Sequence, residues 1–247
     1  MSVVDWRLLK KVSRSFYLTL FLLPAPVRES IAQAYLLARL SDTKADGAES
    51  EAERELLRRE ASLVEDLSRS PDSEEIERVW RTIQEGQDFD LQRFAGENAG
   101  PLTVEELDRY TYLVAGCVGE FWTRMCARHL PGFARLDVEV MKTLGVEYGK
   151  GLQLINILRD RAEDRAKGRV YIEDGMVPYY LRMARAYLRS GETYAKALKI
   201  RRLRVATALP VLIGRETLDL LESAPHAARQ KVSRARMRRI ILRSLFY

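Results

Sequence analysis

The sequence predicts an all-α fold folded as one domain, and three observations carry that reading. Apolar residues recur at helical spacing in IAQAYLLARL, ELLRREASLVEDL, VEELDRYTYLVAGCVGEFWTRM and VEVMKTLGVEYGKGLQLINILRDRAED, which is the period of an amphipathic helix. No segment alternates apolar and polar residues as a half-buried strand does. The turn signals are short, and no linker is long or polar enough to divide the 247 residues into separate domains.

Each expected helix has its own boundary signals. The first, near 4–22, ends before Pro24-Ala25-Pro26, and the second runs near 26–46. The third, near 50–69, opens on Ser50-x-x-Glu53 and closes at Ser70-Pro71-Asp72. The fourth, near 73–94, gives way to the turn stretch from Gly96 to Pro101. Thr103-x-x-Glu106 forms a second capping box and opens a helix near 103–130, which Pro131-Gly132 ends. A long helix near 134–166 stops before Gly168. Three more follow near 176–199, 202–222 and 230–245, and Pro210 is expected to kink the second of them.

Composition narrows the function classes. Hydrophobic residues make up 47% and charged residues 31% of the chain, an ordinary globular balance. The longest apolar stretch, Phe16 to Val27, is too short to cross a bilayer. The N-terminal MSVVDWRLLKK lacks the order of a signal peptide, so a cytoplasmic protein is expected. Cys117 and Cys126 fall on opposite faces of one expected helix and read as buried small hydrophobes. His129 and His226 have no Cys or His at ligand spacing, which argues against zinc. GVEYGKG (145–151) has one residue too few for a phosphate loop, and Gly151 stands where Ser or Thr belongs.

The formal charge of +6 is concentrated at the C-terminal end. After Glu222 come Arg229, Lys231, Arg234, Arg236, Arg238, Arg239 and Arg243 and no acid; without these seven, 34 basic residues face 35 acidic ones. Such a tail suits either peripheral contact with an anionic membrane or a packing helix with a solvated basic edge. Nucleic acid is not expected, because no recognised nucleic-acid fold surrounds the basic stretch.

Chemistry concentrates in two aspartate pairs, Asp42/Asp46 in ARLSDTKAD and Asp160/Asp164 in QLINILRDRAEDRAKGR. Residues four apart on a helix share a face, so each pair sets two carboxylates side by side. Such pairs are commonly just solvated surface; their neighbours set these two apart. At about 100° per residue, Tyr35, Arg39, Asp42 and Asp46 lie within an arc of about 60°. Gly145, Gly149, Gln153, Asn156, Asp160 and Asp164 lie within about 100°. A solvated face would carry Lys and Glu, whereas glycine and amides suggest a lined pocket. Carboxylate oxygens suit Mg²⁺, which also takes oxygens from substrate phosphates. Two such pairs facing one cavity would hold a diphosphate through metal ions.

SRSF (13–16), YLLARLSDTKAD (35–46), YTYLVAG-x-VG (110–119) and QLINILRDRAEDRAKGRVY (153–171) resemble, in order and approximate spacing, the squalene/phytoene synthases, the head-to-head trans-prenyl diphosphate synthases. The resemblance covers most of residues 4–171. It implies a single-domain isoprenoid (prenyl) synthase fold with a central cavity, and Mg²⁺ held by Asp42, Asp46, Asp160 and Asp164. It implies that Ser13, Arg14, Tyr35, Arg39 and Arg169 hold diphosphates, with Gln153 and Asn156 beside the second metal cluster. Phe16 would shield a carbocation, Val114, Ala115 and Gly119 would line a prenyl tunnel, and Tyr110 would assist proton transfer or diphosphate departure. Asp42 and Asp160 would be catalytic through the metal.

The implied reaction joins two farnesyl diphosphates through presqualene diphosphate to squalene, with NADPH as the reductant. Phytoene, dehydrosqualene and presqualene diphosphate are alternative products, with geranylgeranyl diphosphate as the substrate for phytoene. One departure is plain: the chain reads GRVYIEDGMVPYY, with Glu173 at the position where the family carries proline. The segment that follows is shorter than in relatives, which leaves product identity and cofactor capture open, and no membrane-anchoring helix of the eukaryotic kind is expected. From a different class, a non-catalytic assembly or lipid-binding homologue is disfavoured by retention of all four aspartates.

Overall fold

The computed structural model describes residues 4–13, 16–96, 100–223 and 233–244. Arg14 therefore lies outside the described residues, and the side chain of Asp46 is likewise not described. Twelve α-helices are described: α1 (Trp6–Ser13), α2 (Phe16–Leu22), α3 (Ala25–Asp46), α4 (Glu51–Arg58), α5 (Glu60–Ser68), α6 (Ser73–Arg93), α7 (Val104–Thr111), α8 (Cys117–His129), α9 (Val138–Ala166), α10 (Val177–Ala197), α11 (Arg201–Ser223) and α12 (Arg234–Ser244). Among the described residues there is no strand beyond an isolated bridge between Ala134 and Leu198.

The capping signals act as their residue types require. Ser50 and Thr103 each accept from the backbone N–H three residues on, and Glu53 and Glu106 reach back to the cap amides. Asp137 caps α9 by accepting from Glu139, which starts that helix four residues later than its apolar pattern suggests. The expected third helix is broken at Arg59 into α4 and α5. The expected helix over 103–130 is interrupted between α7 and α8 by a π-helical segment, Tyr112–Gly116. Pro210 lies inside α11.

Helix α9 runs through the middle, packed by α7, the π segment, α8, α10 and α11. Two apolar cores form around it. One gathers Leu9, Leu37, Leu56, Ile76, Met125 and Leu203; the other gathers Tyr110, Leu154, Leu158, Tyr171, Tyr180 and Leu188. Cys117 and Cys126 are both buried and unbridged. Asp72, 1% exposed, ties the first core together. It accepts from Ser30 of α3 at 2.5 Å and contacts His129 Nε2 of α8 at 2.8 Å, while Arg128 lies 3.3 Å away.

Candidate active site

A cavity of about 560 Å³ opens along the seam between the two cores. Its lining is supplied by α2, α3, α6, α7, the π segment, α8, α9, α10 and α11, with Arg169 from the turn after α9. Most of the wall is apolar, including Phe16, Val79, Ile83, Val114, Phe121, Trp122 and Leu152. The polar groups are Asp42, Gln87, Asp90, Gln153, Asn156 and Arg169, with the hydroxyls of Thr19, Tyr35, Tyr110, Tyr148, Tyr194 and Thr207. A largely apolar chamber with a few placed polar groups is the usual form of a ligand site.

Backbone contact between helices brings this wall together. A methyl group added at Gly119 would meet the Gly145 carbonyl oxygen at 1.9 Å, and one at Gly149 would meet the Ala115 carbonyl oxygen at 2.2 Å. The glycines of α8 and α9 thus let two backbones touch where side chains would hold them apart. Gly86 does the same for α6, where a methyl would meet Val114 at 2.7 Å. The π segment, with its i→i+5 bonding, lies between these contacts and turns Val114 and Ala115 to the cavity alongside Tyr110, Val118 and Gly119.

Ten of the expected site residues line this cavity: Phe16, Tyr35, Asp42, Tyr110, Val114, Ala115, Gly119, Gln153, Asn156 and Arg169. Phe16 and Tyr35 stack with centroids 5.1 Å apart and planes at 28°. Asp42 accepts from Gln87 Nε2, and Asn156 Nδ2 lies 3.4 Å from Gln153 Oε1. The other described ones lie off the lining. Ser13 is buried within α1 and donates to the Leu9 carbonyl at 2.5 Å. Arg39 is not on the lining; it pairs with Glu53 of α4 and reaches Asp42 Oδ2 only at 4.0 Å. The structure thus gives Arg39 a carboxylate partner outside the cavity lining.

Asp160 and Asp164 sit one and two turns beyond Asn156 on α9 and are not on the lining. Asp160 accepts from Arg159 Nε at 2.9 Å and Nη2 at 2.5 Å. Burial, then the Asp160 charge, pushes the Asp164 carboxyl up to about 6, against the opposing pull of Arg169. Two carboxylates sharing a poorly hydrated place are what a divalent cation would relieve, and their oxygens are the donor type that Mg²⁺ takes. Among the described residues no three acidic or imidazole groups converge as a ready metal cage.

One feature of the wall is absent from the sequence reading. Asp90 of α6, 6% exposed, accepts from the Tyr171 hydroxyl at 2.6 Å and lies 3.3 Å from Arg169 Nε. Tyr171 stacks on Tyr110, with centroids 5.3 Å apart and planes at 17°. Burial, reinforced by the Asp90 charge, raises the Tyr110 phenol well above its ordinary value, so it stays protonated. Gln87 and Asp90 were detectable in principle: EGQDFD places a glycine, an amide and an acid at helical spacing, as the α9 stripe does.

Residues 9–173 match the squalene/phytoene synthase family model. A phytoene synthase of Thermus thermophilus is 32% identical over 181 residues, covering 68% of this chain and 59% of that protein. The chain thus spans less than two thirds of the length of that relative. A dehydrosqualene synthase structure superposes with a TM-score of 0.72 at 22% identity, over 97% of this chain and 93% of the other. A squalene synthase from Alicyclobacillus acidocaldarius gives 0.66 at 19% identity, over 90% and 93%. At these identities the two structures attest the fold.

Proposed function

The chain belongs to the squalene/phytoene synthase family, and from that premise we propose that it condenses two molecules of farnesyl diphosphate head to head, through presqualene diphosphate, to squalene. The observation that carries this reading is the apolar chamber of about 560 Å³ that bears Asp42, Gln153, Asn156 and Arg169 among its few polar groups. Those groups suit the diphosphates, and the apolar wall suits the isoprenoid tails.

Asp42, Asp46, Asp160 and Asp164 are the residues that would hold Mg²⁺. When bound, Mg²⁺ neutralises pyrophosphate and so eases its departure from an allylic carbon. The protein's own groups do the rest. Arg169, oriented by Asp90, adds a fixed positive charge on the cavity wall. Phe16, Tyr35, Phe121 and Trp122 keep water from the allylic cation, which water would quench. The first step joins two C15 units with loss of one pyrophosphate and one proton. Tyr110, held neutral on the wall, assists that proton transfer or the diphosphate departure. A second ionisation, with loss of the second pyrophosphate, and a rearrangement follow; NADPH, when bound, would supply the hydride that gives squalene. We place this activity in the cytoplasm.

A second reading, condensation of two geranylgeranyl diphosphates to phytoene, is favoured by the relative named phytoene synthase. Incubation of purified protein with each diphosphate and Mg²⁺, with and without NADPH, separates the two. A C30 hydrocarbon from farnesyl diphosphate is expected. No C30 product under any condition, with geranylgeranyl diphosphate consumed, transfers the assignment to phytoene. Asp42→Ala and Asp160→Ala are expected to fold and to lose turnover by orders of magnitude. Absence of pyrophosphate release from wild type would leave only a non-catalytic lipid-binding role.

A further inference from the structure

Helix register sets the depth of the chamber. Its charged and amide groups gather at one end. From there the lining descends from Asp42 to Ile31 on α3, from Asp90 to Val79 on α6 and from Asn156 to Gly145 on α9, eleven residues in each case. At about 1.5 Å per residue, that is a depth of about 16 Å. The other walls reach the same level. Gly145 of α9 faces Gly119 of α8, and Tyr148, just under a turn nearer the polar end, packs on Gly191 of α10 and donates to the Thr207 carbonyl of α11 at 2.9 Å.

A tyrosine closes that level. Tyr194 of α10, 2% exposed, lies on the lining, and its hydroxyl is 3.0 Å from Thr123 Oγ1 of α8. Thr123 donates its single hydroxyl proton to the Gly119 carbonyl at 2.9 Å, so in this pair Tyr194 is the donor. The same Thr123 Oγ1 would stand 2.9 Å from a methyl added at Gly145, which puts the tip of the phenol at the Gly145 level. Beneath lies the first core, where Tyr194 clusters with Cys126, Met141 and Leu203. Further along, the Asp72 cluster ties Ser30, the residue before Ile31, to His129 at the end of α8.

We infer that Tyr194, pinned by Thr123, is the residue that limits the chamber to a C15 tail. The inference rests on the prenyl-transfer reading above and adds to it the side chain that selects between the two candidate substrates. With C–C bonds of about 1.5 Å along an extended zigzag, an isoprene unit spans about 5 Å, so the three units of a farnesyl tail need about 15 Å and the four of a geranylgeranyl tail about 20 Å. The first fits above the phenol; the second overruns it by a unit. A flexible aliphatic floor could yield by changing rotamer. A phenol whose hydroxyl is bonded in a buried place yields only by leaving that donor unsatisfied. Tyr194 meets the far end of the tail, so it acts on which tail is accepted and not on the departing diphosphate.

Two measurements on the full chain test this. Farnesyl and geranylgeranyl diphosphate are offered together in equal amounts with Mg²⁺ and NADPH, and the ratio consumed is read by mass spectrometry. The thiolodiphosphate analogues of both, which ionise poorly, are titrated with Mg²⁺ for affinity without turnover. Wild type is expected to favour the C15 compound about a hundredfold in each. Tyr194→Ala is expected to bring that ratio below about tenfold, by gain on the C20 compound. Tyr194→Leu, which keeps more of the core volume, is expected to move the ratio in the same direction. Ile240→Ala, packed with Leu209 and Leu212 and off the lining, lowers stability alone and is expected to keep the wild-type ratio; circular dichroism confirms the fold of each variant. A wild type with no C15 preference, a ratio unmoved in the folded Tyr194 variants, or an equal shift in Ile240→Ala would overturn the inference and leave prenyl transfer standing. Failure of wild type to bind either analogue would overturn prenyl transfer and the inference with it.

Discussion

Asp90 is the residue on which most of the cavity's polar order converges. It is nearly fully buried, accepts from Tyr171 and faces Arg169, and Tyr171 in turn stacks on Tyr110. Removing one partner of such a group leaves the others buried with reduced satisfaction. Asp90→Ala is expected to lower unfolding free energy by about 2–4 kcal/mol, and Tyr171→Phe by about 1 kcal/mol; urea titration of the two side by side checks the order. Glu53 gives a pH prediction. Burial opposes its ionisation, but bonds from Ser50 and the Arg39 charge outweigh burial and hold it below its ordinary 4.5. A carboxyl depressed in the folded state adds stability above its unfolded value and loses it as pH falls through the folded one. Wild type is therefore expected to lose stability more steeply than Glu53→Gln below 4.5, measured by urea titration from about pH 6 to about pH 3. Asp42, Gln153 and Asn156 were legible because helical spacing alone aligns them. The pairing of Arg39 was not, because Glu53 sits on a different helix and only the turn after Asp46 brings it round.

Among the elements, the contact of α8 with α9 decides the shape of the cavity. The sequence showed glycines at 116, 119, 145 and 149, which fit either a pocket stripe or close helix packing. Both hold: Gly119, Gly145 and Gly149 line the cavity, and their missing side chains let carbonyls approach closer than a methyl could tolerate. Gly119→Ala would force α8 and α9 apart, and a loss of about 3 kcal/mol or more is expected, as for overpacking in a rigid core. Gly175→Ala, with nothing within 4 Å of the added carbon, is expected to change stability by less than about 0.5 kcal/mol. Equal thermal midpoints for the two variants would show that the backbones can slide apart freely. The π segment was not legible, since YLVAG has ordinary helical residues. Its extra residue per turn is set by tertiary contact with Gly86 on one side and α9 on the other, which no local pattern records.

At the scale of the whole molecule, two cores share one hollow, and α9 belongs to the wall of both its apolar and its polar reaches. The all-helical architecture and most boundaries follow from period and caps alone, because each helix must bury one stripe. The distribution of the carboxylates does not: Asp42 is on the lining while Asp160 and Asp164 stand further along α9, an offset that spacing within one helix does not record. If these groups act as one anion-and-metal site, ligands that bind only the folded chain must stabilise it by mass action. Mg²⁺ with inorganic pyrophosphate at about a hundred times the dissociation constant should add about 2.7 kcal/mol. For a chain of this size that is a rise in Tm of about 5–10 °C. Mg²⁺ alone should give less, because the carboxylates then lack the anion that completes the site. Asp42→Ala and Asp160→Ala should each remove most of the joint shift, and Arg169→Gln should reduce the pyrophosphate increment while leaving the response to Mg²⁺ alone. Differential scanning fluorimetry reads all three. A full joint shift persisting in both aspartate variants would mean that the cation and the anion meet somewhere other than between α3 and α9, and the chamber would then lack the polar end that prenyl transfer requires.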